Sequence, residues 1–269
     1  MDVASIQTRD PQHLPPEATL EEAMNLMDAL DVRHLPVVSD GRLVGVVSNR
    51  DLLEATGWIR NGVWHAKGPG APKHLQAILR APPATLAPDD SVVTAALEMS
   101  LRRVGCLPVL QGNTLVGIVT ETDLARAFVR EAEAGQVAGE VDPEVRALMT
   151  SNAMTVQVDT TLDEAVELCR TTGVRHLPVG DGQRLVGMLS DRALRKALGE
   201  RRPGETPVRE LMASDPVSTA GHQRLSVAAR RMLDNKISAL PVIEGERLIG
   251  ILTLTDLLDH CLGALREPG

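Results

Sequence analysis

Four short stretches carry the residue types best suited to chemistry: SNRD (Ser48 to Asp51), TETD (Thr120 to Asp123), SDRA (Ser190 to Ala193) and TLTD (Thr253 to Asp256). In three of the four, a hydroxyl is followed three residues later by an aspartate. Each follows an apolar run and opens a helical pattern, so the hydroxyl falls at a helix N-terminus. There it can cap the helix, with the acid returning a hydrogen bond. A hydroxyl beside free backbone N–H groups also suits a phosphate, and a carboxylate one turn on can accept both hydrogen bonds of a ribose diol. Capping explains the helix start. It does not explain why only the shorter acid occurs here, when other helix starts in the chain use Glu22 and Glu164.

A second set of candidates is basic. The hexapeptide VRHLPV occurs as Val32 to Val37 and as Val174 to Val179, an offset of 142 residues (174 minus 32). Arg33, His34, Arg175 and His176 therefore precede an apolar run twice, and Arg50 and Arg192 stand inside the SNRD and SDRA stretches. A histidine in such a place is either hydrogen-bonded to neighbouring backbone or set to meet an anion.

The elements that must position these residues repeat four times. LPV recurs at Leu35, Leu107, Leu177 and Leu240, and ten residues after each leucine a glycine interrupts an apolar run: Gly45, Gly117, Gly187 and Gly250. A constant interval tolerates no insertion, and copies 63 to 72 residues apart, counted between the LPV leucines, suit small supersecondary units. Each copy predicts a short extended run (Ala84 to Leu86, Met154 to Val158), a helix, a hairpin and a final helix. The helix from Thr19 to Leu30 places Leu20, Met24, Met27 and Leu30 on one face, and Thr19 with Glu22, like Thr161 with Glu164, forms a capping box. Asp40-Gly41, Gly112-Asn113, Asp181-Gly182 and Gly245 are turn residues between the two hairpin strands. Proline in LPV belongs at a strand start or an edge. The small sheet of one copy has a face to bury, so copies should pair. The expected division is 1–57, a linker 58–75 holding Trp58 and Trp64 as surface pins, 76–130, a linker 131–145, 146–200 and 201–265.

Composition narrows the function classes. With 269 residues, one Phe, two Trp and no Tyr, the core must be aliphatic, and a flat ligand must be held by aliphatic side chains. A net charge of −8 argues against a nucleic-acid footprint. Cys106, Cys169 and Cys261 have no metal-ligand spacing and read as small buried apolar residues. No apolar run reaches the roughly 18 residues of a membrane span, and no signal peptide is visible. A cytoplasmic protein, with no membrane or metal partner, is expected. No nucleophile–base set, Walker loop or G-x-G-x-x-G occurs, so an enzyme is not expected.

Four β-α-β-β-α copies with LPV, a D-G-type turn, L-V-G and S/T-x-x-D resemble CBS domains, from about Ser5 to Cys261. The layout is similar to the gamma subunit of AMP-activated protein kinase and to stand-alone prokaryotic CBS proteins. The resemblance implies an α/β fold of four CBS units paired into two Bateman modules. It also implies a regulatory ligand such as AMP, ADP, ATP or S-adenosylmethionine, with no catalytic cofactor. Carried over residue by residue, it gives Ser48, Thr120 and Thr253 to phosphate and Asp51, Asp123 and Asp256 to ribose. His13, Thr85, Thr155 and Ser218 would lie near the base, and Arg33, His34, Arg175, His176, Arg50 and Arg192 near phosphate. The third copy keeps Ser190 but has Ala193 where the acid belongs, so its site should be altered or empty. The function implied is sensing of an adenine nucleotide or adenosyl ligand, relayed through module packing to a regulated protein, with a homodimer expected. The alternative is a ligand-independent assembly module.

Overall fold

The structure, a computed structural model, describes residues 1–56, 72–79, 83–135, 142–181, 184–200 and 202–266. The expected roles of Trp58, Trp64 and Gly182 and of the Cys261 side chain lie outside the described residues. The chain forms two compact units, the first built on the sequence up to Ala127 and from Cys261 on, the second on Phe128 to His260, so the helices at these two boundaries begin in one unit and end in the other.

In the first unit the elements are β1 (Thr8–Arg9), α1 (Leu20–Leu30), β2 (His34–Ser39), β3 (Arg42–Ser48), α2 (Asn49–Thr56), α3 (Val92–Arg102), β4 (Cys106–Gln111), β5 (Thr114–Thr120) and α4 (Glu121–Glu133). Helix α4 runs into residues expected as linker and ends at Glu133. In the second unit they are β6 (Thr150–Ser151), β7 (Val156–Gln157), α5 (Leu162–Thr172), β8 (His176–Asp181), β9 (Arg184–Ser190), α6 (Asp191–Gly199), β10 (Ala213–Ser214), β11 (Thr219–Ala220), α7 (Leu225–Asp234), β12 (Ala239–Glu244), β13 (Arg247–Thr253) and α8 (Leu254–Arg266).

The four hairpins are superimposable in register. In each, the valine of LPV pairs with the recurrent glycine (Val37 with Gly45, Val109 with Gly117, Val179 with Gly187, Val242 with Gly250), and a bulge follows at once. Left-handed backbone at Asp40 and Gly41, φ 48° and 74°, makes the tight reversal that Asp-Gly is suited to. The proline sits inside the strand, third in β2, and not at its start. It is tolerated because that side of the strand meets only a short partner segment: Leu14 N–H donates to Pro36 O and Val38 N–H to Leu14 O, and Pro36 needs no donor beyond them.

Helix α1 starts as the pattern predicts. Thr19 Oγ1 accepts from Glu22 N–H at 3.1 Å and Thr19 N–H donates to Glu22 Oε2 at 2.7 Å; Thr161 and Glu164 repeat this at 3.3 and 2.8 Å. These bonds, led by the backbone one, hold both glutamates below the usual carboxylate range. The inward face differs from expectation. Leu20, Ala23 and Met27 are buried, whereas Leu30 at the helix end is exposed, because the stripe drifts around the helix by its last turn.

Pairing is reciprocal and uses the segments that precede each copy. Copy two's lead docks on copy one: Leu75 N–H donates to Ala18 O and Leu20 N–H to Lys73 O. Copy one's lead docks on copy two, with Val3 N–H on Asp90 O and Val92 N–H on Met1 O. The second unit repeats the exchange through Val145 with Gln223 and Val208 with Thr160. Val3, Leu75, Val145 and Val208 are all fully buried. Past these anchors, β1 adds to β5, β6 to β13 and β10 to β9.

That crossing explains the invariant glycine of each copy. A Cβ at Gly250 would lie 2.7 Å from Thr150 O, and one at Gly187 would collide with Met212. At Gly117 it would collide with Gln7, and at Gly45 it would stand 2.6 Å from Leu79 Cδ2. In every case the obstructing residue belongs to the paired copy: at Gly250 and Gly187 its backbone comes close as well, and at Gly45 and Gly117 only a side chain does.

Candidate ligand-binding site

Within each copy one backbone bond joins the two candidate sets. The carbonyl just before the first hairpin strand accepts from the first residue of the last helix: Asn49 N–H to Arg33 O, Glu121 N–H to Gly105 O, Asp191 N–H to Arg175 O and Leu254 N–H to Ser238 O, at 2.9 to 3.2 Å. The Arg-His pairs and the hydroxyl–acid junctions are therefore neighbours, although 15 residues separate Arg33 from Ser48 (48 minus 33).

At the junctions the capping box is complete in copies one and four, and in copy two, among the described residues, only the bonds to the acid are made. Ser48 Oγ donates to Asp51 Oδ2 at 2.5 Å, and Asp51 N–H returns a bond to Ser48 Oγ at 3.2 Å. Thr120 Oγ1 donates to Asp123 Oδ2 at 2.7 Å, and Thr253 Oγ1 to Asp256 Oδ2 at 2.7 Å. The hydroxyl proton is thus directed at the acid, and phosphate would have to draw it away. Ser190 instead accepts from Ala193 N–H at 3.2 Å, with no carboxylate at the third position. Asp123 is buried; Ser48, Asp51, Thr120, Ser190, Thr253 and Asp256 are half-buried. Burial pushes the Asp256 carboxyl above its usual range, against the pull of its Thr253 bonds, and nearby Asp259 adds to the rise.

Arg33, His34, Arg175 and His176 are half-buried, while Arg50 and Arg192 are exposed. Both imidazoles reach the paired copy. A Cβ on Gly105 would be 3.0 Å from His34 Cε1, and His176 Nε2 lies 3.2 Å from Ser238 Oγ. Gly105 and Ser238 occupy the position that Arg33 and Arg175 hold in the other copies, so a small residue receives each ring. The thiol of Cys106 beside Gly105 is pushed up to about 12 by burial, with Glu121 and Asp51 contributing. Asp51 of copy one therefore acts on the strand of copy two. The half-buried Cys169 thiol is pushed up to about 11, again chiefly by burial.

His13, Thr85, Thr155 and Ser218 share one register position. The residue after each (Leu14, Leu86, Val156, Thr219) pairs in parallel with the LPV valine. His13, Thr85 and Thr155 are exposed and Ser218 is half-buried. His13 lines an open cavity of about 550 Å³ with Asp10, Gln12, Val38 and Thr114, which does not include Ser48 or Asp51. The structure thus groups the junction acids with the Arg-His segments and leaves His13 in separate surroundings. Sequence reasoning passed over Arg126, whose Nη1 donates to Asp123 Oδ1 at 2.9 Å.

Paired β-α-β-β-α copies, each with a hydroxyl at the start of its last helix and exchanging lead segments with its partner, define a repeat protein built from Bateman modules. The chain belongs to the CBS domain family, whose pattern matches residues 3–57, 75–130, 145–200 and 208–263. It is similar to MJ1225 of Methanocaldococcus jannaschii, 27% identical over 185 residues that cover 65% of this chain and 66% of that protein. The crystal structure of MJ1225, described as a candidate archaeal homologue of g-AMPK, superposes with a TM-score of 0.80 at 21% identity, covering 97% and 99% of the two chains. A conserved protein of Pyrococcus horikoshii matches with a TM-score of 0.69 at 25% identity over 96% and 99%. CBS domain-containing protein YhcV of Bacillus subtilis is 34% identical over 42% of this chain and 81% of its own length. Among the described residues no helix is long and apolar enough to cross a membrane.

Proposed function

We propose that the protein is a regulatory sensor of an adenine nucleotide or related adenosyl ligand, not an enzyme. The observation that carries this reading is the hydroxyl–aspartate junction at a helix start, present in three copies and hydrogen-bonded in backbone to the segment before LPV. Asp51, Asp123 and Asp256 take the ribose diol. Ser48, Thr120 and Thr253, with helix N–H groups and the arginines Arg33, Arg50, Arg175 and Arg192, take phosphate. His13, Thr85, Thr155 and Ser218 lie toward the base. Copy three, lacking the acid, contributes Ser190 and basic residues without a diol acceptor of its own.

His34 and His176 act chiefly by locking each pair, since their rings are seated on Gly105 and Ser238 of the neighbouring copy. A ligand held at a junction is then sensed across the pair, and a regulated protein reads the change in packing, because the ligand stabilises one arrangement over another. A cytoplasmic homodimer fits this role. The test is a thermal-shift panel with AMP, ADP, ATP and S-adenosylmethionine. One of them, at 100 times its dissociation constant, should stabilise the wild type by about 2.7 kcal/mol. The Asp51→Ala/Asp123→Ala/Asp256→Ala variant should lose most of that shift. No shift with any ligand would instead support a ligand-independent assembly module.

A further inference from the structure

The junction acids of copies two and four accept the same bonds on Oδ2 but differ on their other oxygen. A carboxylate has about four lone-pair sites. Asp123 Oδ2 accepts from Thr120 N–H at 3.0 Å and Oγ1 at 2.7 Å, and Oδ1 accepts from Arg126 Nη1 at 2.9 Å. Asp256 Oδ2 accepts from Thr253 N–H and Oγ1, both at 2.7 Å. Among the described residues no donor is bonded to Asp256 Oδ1. A diol that chelates the acid needs two sites on that outer oxygen, so Asp256 can receive it directly and Asp123 only after Arg126 withdraws.

The sequence builds this difference one turn along the helix. Three residues after the acid stand Arg126 in copy two and Asp259 in copy four, a cation against an anion. Asp123 is almost fully buried, with 8% side-chain exposure, whereas Arg126 at 49% is free to swing into solvent. The ion pair is therefore breakable without unfolding helix α4.

We propose that Arg126 is a built-in competitor for the diol, so that the Asp256 site fills first and the Asp123 site only at higher ligand concentration. This rests on the ligand-sensing reading above and adds a graded response: two thresholds in one chain. The competitor is an arginine of the protein itself, in the position a second ligand contact would need.

The experiment uses the full chain carrying Asp51→Ala and Asp256→Ala, which leaves Asp123 as the last junction acid. AMP and 2′-deoxy-AMP are titrated calorimetrically into this protein with and without Arg126→Gln. Breaking a half-exposed pair should tighten AMP about fivefold, leave 2′-deoxy-AMP unchanged, and the gain should vanish when Asp123→Asn is added. An unchanged or weaker AMP affinity with Arg126→Gln overturns the proposal, as does absence of binding in both while the wild type still binds AMP. If the wild type binds neither nucleotide, the sensor reading itself fails, and the competitor with it.

Discussion

The first and second pairs share every position that packing dictates and part company where a ligand would be met. LPV, the bulge after its valine, the glycine under the partner's crossing segment and the buried anchor of each lead (Val3, Leu75, Val145, Val208) recur in both. At the junctions the first pair has two acids, Asp51 and Asp123, and the second has Asp256 opposite Ala193. At the ring seats His34 meets bare Gly105, whereas His176 meets the hydroxyl of Ser238. Close packing tolerates little variation in a core, so the divergence gathers at the starts of the last helices. A repeated scaffold keeps its fold while the residues at its helix starts differ.

The largest expected effect removes Asp256, the proposed diol acceptor of the second pair. Asp256→Ala should strongly weaken binding to the second unit, while Asp123→Ala and Asp51→Ala leave it intact, as read by nucleotide titration. A hydrogen bond to a charged group contributes about 2 kcal/mol, enough to lose well over tenfold in affinity. Equal losses for all three variants would erase the difference between the pairs.

Next comes the crossing. Gly250→Ala forces a methyl against Thr150 O, a backbone atom that cannot turn aside, and should cost about 2 kcal/mol. Gly45→Ala meets the end of the Leu79 side chain, which can rotate, and should cost less. Urea denaturation of both variants measures this; equal costs would mean the crossing is not what requires glycine.

Restoring the missing acid should give a smaller, opposite change. Ala193→Asp rebuilds the box with Ser190, whose Oγ already accepts the residue-193 N–H, and should stabilise helix α6 by about 1 kcal/mol. It should also add ligand stoichiometry in the second unit. Caps that the pairs share should not distinguish them: Thr19→Ala and Thr161→Ala should each cost about 1 kcal/mol, and unequal costs would show that the pairs differ in their scaffolds too.

The smallest effect is in pH. Because burial raises Asp256 in the fold, its protonated form is favoured there. The stability this contributes is fully present below the unfolded value and is lost as pH rises through the raised folded one. Ligand binding runs the other way, since the diol needs the carboxylate, and should weaken at the Asp256 site as pH falls through that folded value. Denaturation and titration across about pH 3 to 7, against Asp256→Asn, would show both trends.

Much of this was legible in the residues. The ten-residue interval from Leu35 to Gly45 fixed the hairpin, and the caps at Thr19 and Thr161 appear as read. The reason for the glycine was not legible, because Gln7, Leu79, Met149 and Met212 act on a copy far from them in sequence. Their recurrence just after each buried anchor was a signal in plain view. Leu30 was misassigned to the inward face since periodicity alone does not say where a helix leaves the core. Arg126 escaped notice because an ion pair depends on which way a long side chain turns, and spacing does not specify that. The site that spacing did suggest, hydroxyl plus acid, is in copies one and four also a complete capping box.

That double identity makes one comparison decisive. The wild type is titrated with the nucleotide that stabilises it most and with the 2′-deoxy form of the same nucleotide. If the junction aspartates hold a ribose diol, the deoxy form binds about tenfold more weakly, and the difference disappears in the Asp51→Ala/Asp123→Ala/Asp256→Ala protein. Equal affinity of the wild type for both forms would show that these aspartates cap helices and do nothing more.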